Sequence, residues 1–140
     1  MQIILNTQHP KLAGVVNALG TPWSYGVQIE SRMNSVRDME LIICATQALR
    51  RMKVKHITLY VPYILGARSD RKFVDGGTSY LVDVIAPMIN SQGYDSVVAI
   101  DAHSDVCAAC IKNFEGLDNV ALVEEAIQHI GEDFTIVTPD

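Results

Sequence analysis

Hydrophobic residues along this chain fall into short runs separated by stretches of helical period. Ile3–Leu5, Val27–Ile29, Ile57–Val61, Val97–Ile100 and Phe134–Val137 read as strands, several of them β-branched and poor in polar residues, as strands buried in a parallel sheet are. Between the second and third, Ser35-Val36-Arg37-Asp38 fits a capping box, with Met39, Ile42, Ile43, Leu49 and Met52 following at helical spacing. Arg50, Arg51 and Lys53 then suit the negative end of that helix dipole. A further helix is predicted from about Ser79 to Gln92, with Gly93 as its stop and a kink or local break at Pro87. Others are predicted near Lys11–Leu19, Ser104–Phe114 and Val123–Ile130. The alternation βαβα implies an α/β domain with a largely parallel five- or six-stranded sheet and helices on both faces.

No repeat, low-complexity tract or linker divides Met1–Asp140, and 140 residues with 49% hydrophobic and 19% charged are expected to form a single globular domain. The apolar runs are far shorter than the roughly 18 residues of a bilayer span, and the start lacks a basic segment before an apolar one. Three cysteines build no disulfide framework. The expectation is a cytoplasmic protein, neither membrane-bound nor secreted. A net charge of -5 disfavours nucleic acid as a partner, because binders of polyanions release counterions with clustered positive charge.

Any anion site must therefore be local, and charge is distributed unevenly. Seven of the 11 Lys and Arg lie between Arg50 and Lys72 with Asp70 as the one acid, a local balance of +6. Arg50, Arg51, Lys53 and Lys55 read as a solvated helix end. Arg68, Arg71 and Lys72 instead follow directly beyond the carboxyl end of a predicted buried strand, where open α/β sheets bind ligands and where guanidinium groups can grip phosphate oxygens in pairs.

Three segments carry a family resemblance: YVPYILGARSDRKFVDGG, MINSQGYDSVVAIDAHSDV and TIVTPD. They resemble the amino-terminal half of ribose-phosphate pyrophosphokinases, whose third-strand loop usually reads PY-x-x-Y-A-R-Q-D-R, whose fourth strand ends in D-x-H, and whose later strand ends in S-P-D. Pro62, Tyr63, Ala67, Arg68, Asp70 and Arg71 match the first motif, Asp101 and His103 the second, Pro139 and Asp140 the third. The resemblance implies a phosphoribosyltransferase-like half and a reaction in which diphosphate moves from MgATP to ribose 5-phosphate, giving phosphoribosyl pyrophosphate and AMP. It implies ATP binding by Arg68, Ser69, Asp70 and Arg71, with His103 and Asp140 near the Mg²⁺ carried by ATP. It also implies a homo-oligomer.

The chain departs from the pattern in two places. Ser69 stands where the family has Gln, and the F-x-D-G-E segment that holds adenine is absent before Ser35; Trp23, Tyr25 and Glu30 are the nearest substitutes, read more simply as turn aromatics and an exposed acid. The second-half loops that bear the catalytic Lys and Arg and bind ribose 5-phosphate have no counterpart in these residues. The expectation is a piece of a longer enzyme that carries no catalytic residue of its own and is inactive alone. The rival is a noncatalytic synthetase-associated binding or assembly module. A phosphoribosyltransferase would need an acidic D-x-x-x-T-G loop, which the sequence lacks.

Cys107 and Cys110 form a C-x-x-C that lies in register with His103 on a helix, but a fourth zinc ligand is wanting, and Cys107 falls about a turn inside, where a buried apolar role is expected. Cys44, between Ile43 and Ala45, is expected in the core. His9, His56 and His129 are assigned no role, and Ser104 is expected to cap a helix.

Overall fold

The structure is a computed structural model that describes residues 1–6 and 26–130, with 135 and 137. The helix expected over Lys11–Leu19, the aromatic residues Trp23 and Tyr25, and Pro139 and Asp140 lie outside the described residues. So does the last expected strand, apart from Thr135 and Val137.

Five strands form one sheet in chain order: β1 (Gln2–Asn6), β2 (Gly26–Glu30), β3 (Ile57–Tyr60), β4 (Ser96–Ile100) and β5 (Phe114–Leu117). β1 runs antiparallel to β2, and β2 through β5 are mutually parallel. Each parallel step moves to the next strand in chain order. Burial alternates along these strands: Val27, Ile29, Ile57, Leu59, Val97 and Ala99 are buried, while Gln28, Thr58, Tyr60, Val98 and Ile100 between them are half-buried.

α1 (Val36–Arg51) begins at Ser35, whose Oγ accepts the Asp38 N–H at 3.2 Å while the Asp38 carboxylate accepts from the Ser35 hydroxyl and the Asn34 N–H. Its buried residues, Met39, Ile42, Thr46 and Leu49, recur at three and four. Cys44 is exposed, contrary to the sequence expectation. Five residues beyond Met39 it has turned well away from that stripe, so apolar neighbours in sequence are not its neighbours on the helix. At the far end the Arg50 guanidinium donates to the carbonyls of Val54, Lys55 and Gly93, which makes it a clasp between two turns rather than a solvated charge.

The helix expected at Ser79–Gln92 is divided. Tyr80–Ile85 is a π-helical turn and α2 (Ala86–Asn90) follows, the change falling just before Pro87, which has no N–H to donate and whose ring crowds the preceding turn. Ser79 caps it through Oγ, at 3.3 Å from the Val82 nitrogen.

The predicted Ser104–Phe114 helix is corrected more strongly. α3 covers only Val106–Cys110, Ile111 is extended, Asn113 has φ +55°, and Phe114 opens β5. Tertiary hydrogen bonds capture the peptide groups that would continue the helix: Asn90 accepts from the Lys112 N–H and donates to the Cys110 carbonyl, both at 2.8 Å. α4 (Val120–Ile130) closes the described fold. Among the described residues, no helix is long and apolar enough to cross a membrane.

Candidate functional site

Because β3 and β4 are parallel neighbours, the loops that follow them emerge at one edge of the sheet. The Val61 N–H donates to Val98 O at 2.9 Å and the Ile100 N–H to Pro62 O at 3.3 Å, so the pairing continues into the loop. A cavity of about 510 Å³ lies beyond these strand ends. Pro62, Tyr63, Ile64, Ala67 and Arg68 line one side; Ala99 to His103, with Cys107 and Asn119, line the rest.

The loop after β3 is built to hold a shape. Ile64 and Ala67 are buried, anchoring the loop in the core. Ala67 N–H donates to Ile64 O at 3.0 Å and Ser69 N–H to Gly66 O at 2.7 Å, and Ser69 O accepts from the Leu81 N–H and the Ser79 hydroxyl. Gly66 has φ +78°, and a Cβ there would meet the Tyr80 ring at 2.8 Å, so both the turn and the close approach demand glycine. Arg68 leaves this frame exposed at the cavity, and no carboxylate among the described residues pairs with it.

Across the cavity, β4 ends in Asp101, which has φ +50° and donates its N–H to Leu117 O at 2.7 Å. Its carboxylate accepts from Asn119 Nδ2 at 3.1 Å, which ties the loop after β4 to the start of α4. His103 is exposed and lines the same cavity as Arg68.

The other site residues expected from sequence stand differently. Ser69 is exposed and bonds through its backbone N–H and carbonyl. The Asp70 side chain is only 6% exposed, accepts the Ser104 hydroxyl at 2.6 Å, and lies 3.9 Å from Arg71 Nε. That hydroxyl is the main cause holding the Asp70 carboxyl below its ordinary range, with the nearby Arg71 and His103 charges assisting. Arg71 is 80% exposed, and Lys72 reaches Asp83 at 3.5 Å. Asp140 lies outside the described residues. The described residues alone gather no group of three His, Cys, Asp or Glu placed to hold a metal ion; a Mg²⁺ here would draw its remaining oxygen ligands from elsewhere.

Sequence reasoning overlooked Asn119 and the Asp70–Ser104 pair, because residues 18 and 34 positions apart along the chain leave no local signal. Cys107 is buried, as expected, and its thiol is pushed up to about 11, chiefly by burial. It stays protonated near neutrality and is a poor thiolate ligand or nucleophile.

The mostly parallel sheet, with a cationic loop and a histidine loop converging beyond its carboxyl ends, is an α/β fold consistent with a phosphoribosyltransferase-like half. Its fold matches the crystal structure of phosphoribosylpyrophosphate synthetase from Mycobacterium smegmatis with a TM-score of 0.64, at 20% identity, over 73% of this chain and 35% of that one. In sequence, the chain is related to the ribose-phosphate pyrophosphokinases. It is 35% identical over 108 residues to that of Marinomonas sp. (strain MWYL1) and 36% identical over 110 residues to that of Caulobacter vibrioides, matching 73% of this chain and 33% of each relative. The Gloeobacter violaceus enzyme is 37% identical over 106 residues. The chain thus spans about a third of the length of the curated relatives it matches. No family model matches it.

Proposed function

We propose that this chain supplies the ATP-binding half of a ribose-phosphate pyrophosphokinase, the enzyme that moves diphosphate from MgATP to ribose 5-phosphate. The single observation that carries the reading is the Arg68 guanidinium, unpaired by any described carboxylate, at a cavity it shares with His103 beyond the carboxyl ends of β3 and β4. Phosphoryl-type transfer depends on positioning and on cations that stabilise charge on phosphate oxygens. In this reading Arg68 binds those oxygens, with the exposed Arg71 as a second cation. Ser69 and Asp70 complete the loop, and His103 and Asp140 are assigned to the Mg²⁺ that enters with ATP. Asp140 is the natural oxygen ligand for so hard an ion.

Ribose 5-phosphate binding and the transfer step belong to other parts of such an enzyme. Residues 1–140 by themselves are therefore expected to bind MgATP without releasing AMP. The working protein is a cytoplasmic homo-oligomer in this reading. Calorimetric titration of the chain with MgATP tests it: wild type should bind, and Arg68→Ala should bind about tenfold to a hundredfold more weakly, the equivalent of one charge-assisted phosphate contact. Equal affinities would refute the assignment, and AMP formation from ATP and ribose 5-phosphate at about 1 per second would refute the inactivity. Ser69 in place of Gln keeps a second reading open, a noncatalytic associated module; restored activity on joining the chain to the rest of an active relative would reject it.

A further inference from the structure

We infer that the Asp70–Ser104 hydrogen bond is a positioning bridge that fixes Arg68 and His103 relative to each other across the cavity. The inference rests on the MgATP reading for its purpose but on geometry for its existence. Asp70 is two residues after Arg68, and Ser104 is the residue after His103. Their side chains meet at 2.6 Å, the short distance of a hydroxyl donating to a charged carboxylate. Asp70 is not among the residues lining the cavity, and its side chain is 6% exposed, so its position suits a brace rather than a ligand.

The bridge also continues on both sides. Ser104 Oγ lies 3.4 Å from the Val106 nitrogen, which anchors it to the first turn of α3, although Asp105, not Ser104, is the cap residue. On the other side Ser69 O holds the π-helical turn through the Leu81 N–H at 3.1 Å and the Ser79 hydroxyl at 3.3 Å. Besides its buried anchors Ile64 and Ala67, the loop bearing Arg68 is thus tied at its far end to two elements, α3 and the π-helical turn, and without Ser104 it loses the first of these ties. A hydroxyl suits the role because it donates to Asp70 and accepts from the backbone at once.

Ser104→Ala, Ser104→Thr and Asp70→Asn separate the alternatives, each checked by thermal melting to be folded. Amide hydrogen exchange in the free protein should quicken in Ser104→Ala at residues 66–70 as well as 101–106, and Ser104→Thr, which keeps the hydroxyl, should restore wild-type protection. MgATP affinity should fall about threefold to tenfold in Ser104→Ala, a fraction of what one hydrogen bond to a charged group is worth, and recover in Ser104→Thr. Asp70→Asn, which keeps an acceptor, should fall between. Exchange that changes only at 101–106, or a Ser104→Thr protein that behaves as Ser104→Ala, would overturn the bridge. If wild type does not bind MgATP while exchange responds at both loops, the bridge stands and the nucleotide reading falls.

Discussion

Two stretches of the same basic segment sit side by side and behave oppositely. Residues 62–70 are pinned by buried Ile64 and Ala67 and by main-chain bonds at Ala67, Ser69 and Leu81. Residues 71–78 expose Phe73 at 85% and Val74 at 70%, and they are tied by one turn bond, Gly77 N–H to Val74 O at 3.0 Å, the long Arg71–Asp70 pair at 3.9 Å and the solvated Lys72–Asp83 pair. Both halves carry cations, but only the first presents one from a fixed frame. Charge density along the chain marks where an anion could be attracted; burial beneath the loop decides where it can be held in one geometry.

The sharpest way to break this contrast is to remove the anchor. Ile64→Ala should lower stability by about 2–5 kcal/mol, as large-to-small changes in a packed core do, whereas Phe73→Ala should stay within about 0.5 kcal/mol. Urea unfolding measures both, and equal losses would mean that the second half is as well packed as the first. The next contrast is functional: Arg68→Ala should weaken MgATP about tenfold or more, and Arg71→Ala, already largely in solvent, by about threefold or less. A reversed order would move the proposed phosphate site outward.

Two glycines separate crowding from backbone strain. Gly66→Ala combines φ +78° with a 2.8 Å clash on the Tyr80 ring and should cost about 1–3 kcal/mol. Gly76→Ala, at φ +73° with open space around it, meets only the conformational penalty of about 1 kcal/mol. Melting curves of the two variants distinguish strain with crowding from strain alone.

The smallest expected effect is on pH. Asp70 is held below its ordinary range, mainly by Ser104, so its contribution to stability is present above the unfolded carboxylate range and is lost as pH falls through the lowered folded value. Ser104→Ala should move the Asp70 titration upward, which carboxyl resonances would show directly; an unmoved titration would assign the shift to other causes.

What the sequence reveals follows from the range of each interaction. Strands β2, β3 and β4 and the Ser35 cap were legible because apolar runs and caps are local signals. β5 was not, since Phe114-Glu115-Gly116-Leu117 has a weak strand pattern and is specified by Asn90 and Asn113 reaching across to other elements. Cys44 misled because its sequence neighbours are apolar while its helical face is not buried. Within the site, Arg68 and His103 could be placed together from strand order alone, as ends of parallel neighbours. The Asp70–Ser104 and Asp101–Asn119 bonds that shape the cavity are long-range pairings of common polar residues, visible only once the chain is folded.

In the proposed reading the loop from Pro62 to Asp70 and the loop around His103 form one phosphate-binding edge, and backbone amide shifts followed as MgATP is added would report on both loops at once. Saturable changes are expected at residues 66–70 and 101–104, absent in Arg68→Ala, with residues 50–55 unmoved although they carry four of the cations. Changes centred on Arg50 to Lys55, or none at either loop at saturating MgATP, would contradict it.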